Sequence, residues 1–454
     1  MWRTEEDARV EDNIFELTFT VEMGPLSLET FVIFKKSSLP ATLSLAAVTV
    51  YNTEELVIEP SLRFPQNRPV PTRREPIAVD NGVIRVTFDP ITGSLLTIKD
   101  IASGNETEIN LTFEYYKSQG SGAYIFYPQG PSVTLYSNIP IIRVVSGPLL
   151  TRVEVAFDPY LIHRVTLYSH PALSAQAVHV ENVATIHTLK DKEVIMRLGT
   201  DISSQGNSYF TDQNGFQFLR RRPHTSLSTE ANYYPMTSGA ILEDGLTRLT
   251  LLSAQSHGVA LLERGQLEVM LDRQLMRDDG RGLGEPVEDI KATPSNFVIL
   301  VERRTTPVTS SRLHMTSLSL SGLVLADALV QPVLVYHSNI NSDVFYSTVH
   351  PLPRPLPCDV SMVSLRSLSN RNLEYNGTSL ILHRRGYDCS FPAPPSLVCT
   401  PSDSGVSFSD LFSGFRFSQV KETSLTHTKV HRVVSPTEKL KLAPMELYAY
   451  HFRF

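Results

Sequence analysis

The stretch Asp278-Asp279-Gly280-Arg281-Gly282 is the first place in this chain where residue types and spacing suggest chemistry. Two carboxylates invite acid/base hydrolysis. Neighbours on an extended chain point to opposite sides, however, whereas a glycosidase pair must converge on one bond from opposite faces. Asp278 and Asp279 are therefore a poor catalytic pair. Arg281 differs: glycine on both sides lets the backbone turn tightly and present a planar guanidinium whose donors suit sugar hydroxyls or a carboxylate. It reads as an orienting group, or as a surface arginine paired to Asp278 or Asp279. Gly120-Ser121-Gly122-Ala123-Tyr124 is a comparable element, with small residues for close backbone approach and an aromatic face with a polar tip. Tyr124 reads as a sugar contact, or as core or edge packing.

Other chemistries find less support. There is no GxSxG elbow, P-loop, GxGxxG or HExxH; His427 and His431 have i, i+4 spacing, but Thr428 stands where the glutamate would be. In a β-rich region those histidines share a strand face and serve packing or solvation. His163, His170, His179 and His187 are irregularly spaced and read as structural or surface residues. Arg220-Arg221-Arg222 before Pro223 reads as a solvated loop rather than an anion site. Lys+Arg 41 against Asp+Glu 47 gives 41 − 47 = −6 without long like-charge blocks, so no nucleic-acid surface is implied. The longest apolar stretches, 43–51 and 318–335, are interrupted by polar residues and proline, which argues against a membrane span, and Met1-Trp2-Arg3 followed by an acidic run is no secretory leader.

Three cysteines, Cys358, Cys389 and Cys399, form no CxxC pair, which excludes a zinc ribbon or thioredoxin-type motif. They read as buried thiols of a reducing compartment, or as containing one disulfide, for which the Cys389 to Cys399 spacing suits a strand–loop–strand bridge. Asn105, Asn110 and Asn376 open glycosylation sequons.

These residues must be carried by β structure. With 454 residues, 41% hydrophobic and 19% charged, the chain can bury more than one core. Phe15, Leu17, Phe19 and Val21 alternate with polar residues, predicting a strand in a small N-terminal β unit over 1–70, and the Pro- and Arg-rich stretch 65–76 reads as a boundary. From Asn81 the signal strengthens: β-branched runs at 83–88 and 95–98 flank Asp89-Pro-Ile-Thr-Gly93, a hairpin. Strands are expected at 152–157, 177–181, 194–198, 249–252, 267–271 and 297–301, separated by turn-rich loops, making one large antiparallel body of roughly 230 residues within 71–317. Residues 318–329 are the best helix, stopped by Pro332, and 318–454 reads as a last β domain with strands at 359–365, 380–383 and 446–454. No repeat of propeller or solenoid length is visible, so unequal antiparallel β-sandwiches with few helices are expected.

Five ordered motifs then resemble the C-terminal half of glycoside hydrolase family 38 α-mannosidases. They are Ser121-Gly-Ala-Tyr-Ile-Phe126, Phe210-Thr-Asp-Gln-Asn-Gly215, Ala231-Asn-Tyr-Tyr-Pro-Met236, Arg248-Leu-Thr-Leu-Leu-Ser-Ala-Gln255 and Asp272-Arg-Gln-Leu-Met-Arg-Asp-Asp-Gly-Arg-Gly282. Leu380-Ile-Leu-His-Arg-Arg-Gly-Tyr-Asp-Cys389, the Cys358-Asp-Val run and Ala443-Pro-Met-Glu446 look more like the Golgi mannosidase II branch than the lysosomal one.

The resemblance implies that the large body is a mutarotase-like supersandwich. It implies a zinc-dependent, retaining enzyme that trims α-linked mannose from N-glycans in the Golgi lumen. The family's zinc ligands, nucleophile and acid/base belong to an N-terminal domain whose motifs have no counterpart here, so no catalytic or metal-binding residue is expected on this chain. Tyr124 and Arg281 match the family's sugar-contacting tyrosine and arginine and would orient the ring for in-line attack. The expected partners are the mannose-containing glycan and the missing catalytic domain or a full-length homologous subunit. The chain would be a fragment or short isoform of such an enzyme; the alternative is a non-catalytic glycan- or partner-binding β module. The Golgi resemblance also favours the disulfide and the glycosylation of Asn105, Asn110 and Asn376.

Overall fold

The computed structural model describes residues 16–33, 43–53, 68–70, 74–170, 173–204, 206–288, 291–308, 314–336, 349–395, 397, 399, 405–412 and 414–453. Trp2, the acidic run at 5–12, Phe15 and part of the proline-rich stretch lie outside the described residues. The chain divides into two compact units, one of Met1–Phe19, Pro40–Val333 and Cys389–Ser396, the other of Thr20–Leu39, Leu334–Asp388 and Leu397–Phe454.

The first unit is built on two sheets. The Asn81-to-Asp100 region folds as its pattern dictates: Ile84–Phe88 pairs antiparallel with Leu95–Asp100, Val86 opposite Ile98. Asp89 fixes the turn by accepting the Ile91 N–H at 2.7 Å, and Gly93 supplies a left-handed φ of 72°. In space the nine-stranded sheet runs Tyr234–Met236, His257–Glu263, Gln266–Gln274, Lys192–Thr200, Glu106–Lys117, Leu95–Asp100, Ile84–Phe88, Ile77–Asp80, with Val133–Thr134 added to Glu106–Lys117. The 12-stranded sheet runs Arg68–Val70, Ala47–Tyr51, Ile141–Ser146, Leu150–Phe157, Leu161–Tyr168, Ala177–Ala184, Thr293–Arg303, Thr247–Ser253, Gly239–Glu243, Tyr209–Asp212, Phe218–Arg221, Met315–Thr316. All its pairs are antiparallel except Ala47–Tyr51 with Arg68–Val70.

The inward faces of both sheets share one core, in which Val86, Phe88, Leu111 and Val194 of one sheet meet Val153, Val155, Val165 and Phe297 of the other. Phe113 and Phe157 span the gap edge to face at 5.4 Å. The mainly β, antiparallel sandwich expected from the sequence is what the chain forms. The helix is also where its signals lie: Ser319 caps Leu320–Val330 by accepting the Gly322 N–H at 2.9 Å, and Pro332 follows its end. Among the described residues no helix is long and apolar enough to cross a membrane.

The second unit carries a five-stranded antiparallel sheet, Val360–Ser369, Tyr375–Arg384, Leu447–Arg453, Gln419–Thr423, Val430–Val434. Leu380, Leu382, Phe408, Tyr450 and Phe452 form its core, with the Phe408 ring 5.3 Å from both Tyr450 and Phe452.

Three sequence expectations are corrected. Residues 16–25 form no strand although Leu17, Phe19 and Val21 alternate as one. Alternation specifies a strand only where a neighbouring strand takes up its backbone groups. Arg220 and Arg221 are not a solvated loop: they lie in the strand Phe218–Arg221, where Arg220 donates to Ser208 Oγ at 3.0 Å and Arg221 to Thr211 Oγ1 at 3.0 Å. His427 and His431 do not share a strand face; His427 sits in a turn at φ 57°, its ring nitrogens 2.6 Å from Ser379 Oγ and 2.8 Å from Thr423 Oγ1.

The disulfide is also corrected. Cys399 bonds Cys358, Cα to Cα 5.4 Å, and not Cys389. Cys389 is exposed and heads the segment Cys389–Ser396, which belongs to the first unit, whereas Cys358 and Cys399 both belong to the second. There the next two residues are held: Ser390 C=O accepts the Thr305 N–H at 3.2 Å, and the Phe391 ring lies 4.5 Å from the Arg304 guanidinium. Closing a loop of sequence separation 41 stabilises the second unit by about 4 kcal/mol. Cys358→Ala is expected to lower its stability by that amount in urea unfolding, and a non-reduced peptide map should join 358 to 399; a 389–399 linkage would refute the assignment.

Candidate sugar-contacting site

Two loops at one end of the nine-stranded sheet bring Tyr124 and Arg281 into one cluster. Adjacent strands launch them. Lys192–Thr200 lies between Glu106–Lys117 and Gln266–Gln274, with Glu193 opposite Tyr116 on one side and Arg273 on the other. Glu106–Lys117 runs into the loop holding Tyr124, and Gln266–Gln274 into the loop holding Arg281.

The cluster has a buried floor. Glu193, fully buried, accepts the Ser121 hydroxyl at 2.9 Å, and the same Ser121 Oγ accepts the Tyr127 N–H at 2.8 Å. Burial pushes the Glu193 carboxyl above its ordinary value, opposed by Ser121 and Arg273. Arg273 donates to Ala123 C=O at 2.8 Å. Beside this, Glu268 accepts the hydroxyls of Tyr116 at 2.9 Å and Tyr233 at 2.6 Å, and Arg197 bridges Glu268 at 2.7 Å to Glu114 at 2.6 Å. Phe126 packs edge to face on Tyr116 and Tyr233 at 5.5 and 5.0 Å. A satisfied polar network of this kind holds its members in one geometry.

On this floor one carboxylate joins the loops. Asp279 Oδ2 accepts the N–H of Tyr124 at 2.8 Å and of Ile125 at 3.1 Å, while Oδ1 accepts the Arg281 N–H at 3.0 Å. Desolvation opposes its charge, but these three donors and the Arg281 guanidinium outweigh it and hold the Asp279 carboxyl below its ordinary value. Gly122 allows the approach: a Cβ there would lie 2.5 Å from Asp279 Cβ and 2.6 Å from its backbone nitrogen. Asp278 instead accepts the N–H groups of Gly280 at 2.9 Å and Gly284 at 3.2 Å, within its own loop. The two aspartates thus point to different tasks, and neither is placed as half of a catalytic pair. Tyr124 is 67% exposed and Arg281 exposed, so both side chains are available to a ligand.

Residues 79–281 match the family model "Glycosyl hydrolases family 38 C-terminal domain". This chain carries that family 38 domain. Alpha-mannosidase 2 of Homo sapiens is 32% identical over 98% of this chain and 39% of its own length. Alpha-mannosidase 2x of Mus musculus is 32% identical over 97% of this chain and 39% of its own. Lysosomal alpha-mannosidase of Felis catus is 28% identical over 89% of this chain and 40% of its own. The chain therefore spans about two-fifths of these relatives. In fold it is similar to an α-mannosidase from Enterococcus faecalis V583, with a TM-score of 0.55 at 12% identity over 86% of this chain and 44% of that one.

The remaining expected positions are scattered. Asn110 is exposed in the strand Glu106–Lys117, opposite Gly199, whereas Asn105 donates to Ser103 Oγ at 2.8 Å and Asn376 Oδ1 accepts from Arg453. Among the described residues no group of three or more His, Cys, Asp or Glu could hold a metal ion. Sequence reasoning missed the loop-joining role of Asp279 and the floor of Glu193, Ser121 and Arg273. Its one available signal was the clustering of Ser121-Gly-Ala-Tyr and Asp-Asp-Gly-Arg among the family-like motifs.

Proposed function

We propose that this chain is the sugar-contacting β region of a Golgi-type α-mannosidase that hydrolyses α-mannosidic bonds in N-glycan processing. Tyr124 and Arg281 orient the mannose ring, Tyr124 through its face and hydroxyl and Arg281 through its fork of donors. Hydrolysis in this reading is retaining and zinc-dependent, and its metal, nucleophile and acid/base are supplied by residues other than those described here. The partner of the site is the mannose-containing glycan, in the Golgi lumen, and Asn105, Asn110 and Asn376 are candidate glycan acceptors there. The observation that carries the reading is that amides of the Tyr124 and Arg281 loops converge on the single carboxylate of Asp279.

Saturation-transfer NMR on the purified chain tests this. Methyl α-mannoside is expected to bind in preference to methyl α-glucoside, and Tyr124→Ala or Arg281→Ala to weaken it by about tenfold, as loss of one well-placed polar contact does. Equal binding by wild type and both variants would sink the assignment. An aryl α-mannoside with added zinc should show no turnover above a heat-treated control; zinc-dependent turnover would mean that catalytic groups lie on this chain.

A further inference from the structure

We propose that Asp279 is the positioning residue of this site: its carboxylate, touching no sugar, sets the separation and orientation of Tyr124 and Arg281 by joining their loops. The proposal rests on the sugar-contacting reading of those two residues and goes beyond it in naming what holds them. Its basis is geometric. Three main-chain N–H groups from two loops about 155 residues apart in sequence end on one side chain, one oxygen serving the Tyr124 loop and the other the Arg281 loop. Gly122 presses its backbone against Asp279 so closely that any side chain there would displace the carboxylate. The loop carrying Arg281 has left-handed glycines at Gly280, Gly282 and Gly284, with φ of 69°, 111° and 75°, and such a segment holds one shape only where something outside it fixes it. The loop carrying Tyr124 is tied from below by the Ser121 to Glu193 and Arg273 to Ala123 hydrogen bonds, so Asp279 transfers that rigidity across to Arg281. Because charged acceptors make the stronger hydrogen bonds, an aspartate suits this role better than a neutral amide, which keeps one acceptor oxygen and turns a donor toward a donor.

The test combines two readouts on the whole 454-residue chain. Hydrogen–deuterium exchange reports the amides of Tyr124, Ile125 and Arg281, and saturation-transfer NMR reports affinity for methyl α-mannoside. Asp279→Ala is expected to speed exchange at all three amides and to weaken the sugar by about tenfold, and Asp279→Asn to fall between alanine and wild type in both. Gly122→Ala, which keeps the carboxylate but pushes it away, should reproduce the loss and serves if Asp279→Ala does not fold. Unchanged exchange, or wild-type affinity in spite of faster exchange, would overturn the positioning role while leaving Tyr124 and Arg281 as sugar contacts. Absence of mannoside binding by the wild-type chain would overturn the sugar reading and this role with it.

Discussion

Glu243→Ala is expected to destabilise the first unit by about 3–5 kcal/mol, the cost of taking one partner from a buried ion pair. Arg248 is fully buried, and Glu243 Oε2 accepts from its Nε at 2.7 Å and from an Arg304 NH2 group at 2.7 Å. Arg248 also donates to Ser317 C=O at 2.9 Å and Thr316 Oγ1 at 3.1 Å, and both guanidiniums lie on the Phe391 ring, at 4.3 and 4.5 Å. Neighbouring carbonyls and a ring face cannot replace a carboxylate shared by two cations in a dry site. The alanine variant also brings the two positive charges together without the negative one between them. Urea unfolding of the variant against wild type measures the effect; a loss under about 1 kcal/mol would show that solvent reaches these guanidiniums and screens them.

Acidification gives the second large effect. Burial pushes His163 and His179 down to about 4 from an ordinary 6.5. His163 is wholly buried, its Nδ1 2.7 Å from Asn182 Oδ1 and its ring 5.2 Å from Phe113; the Nε2 atoms of both histidines lack a hydrogen-bond partner. Since the folded values lie below the unfolded one, the unfolded chain takes up protons first as pH falls. Stability is therefore fully present above about pH 6.5, declines down to about pH 4, and levels below that. At pH 5 each histidine accounts for a loss of about 2 kcal/mol. Burial lowers His257 and His383 in the same direction. Urea midpoints at pH 7.5 and 5.0 should show the loss, and His163→Phe should flatten it by about half of the pair's share. An unaltered pH slope in that variant would remove His163 from the account.

The β elements were legible because their signals are local. The hairpin from Ile84 to Asp100, the strands with inward valines and leucines, and the cap-to-proline span of the helix each rest on residues close in sequence. The family-like motifs were legible for a related reason, since several are polar residues that the fold buries. Asp212 in Phe210-Thr-Asp accepts the N–H groups of Gly215, Ser238 and Gly239, and Arg248 opens Arg248-Leu-Thr-Leu. Such residues hold an architecture together, so they mark it in sequence.

What the sequence by itself determined is the mainly β class and the position of the helix. Only the tertiary structure decided which cysteines meet, that Leu17 to Val21 form no strand, and that Asp279 links two loops rather than serving as an isolated surface charge. The physical reason is separation along the chain. A periodic pattern reports which face of an element is apolar, but partners 41 or 155 residues apart meet only after the sheets have packed and fixed where their loops emerge.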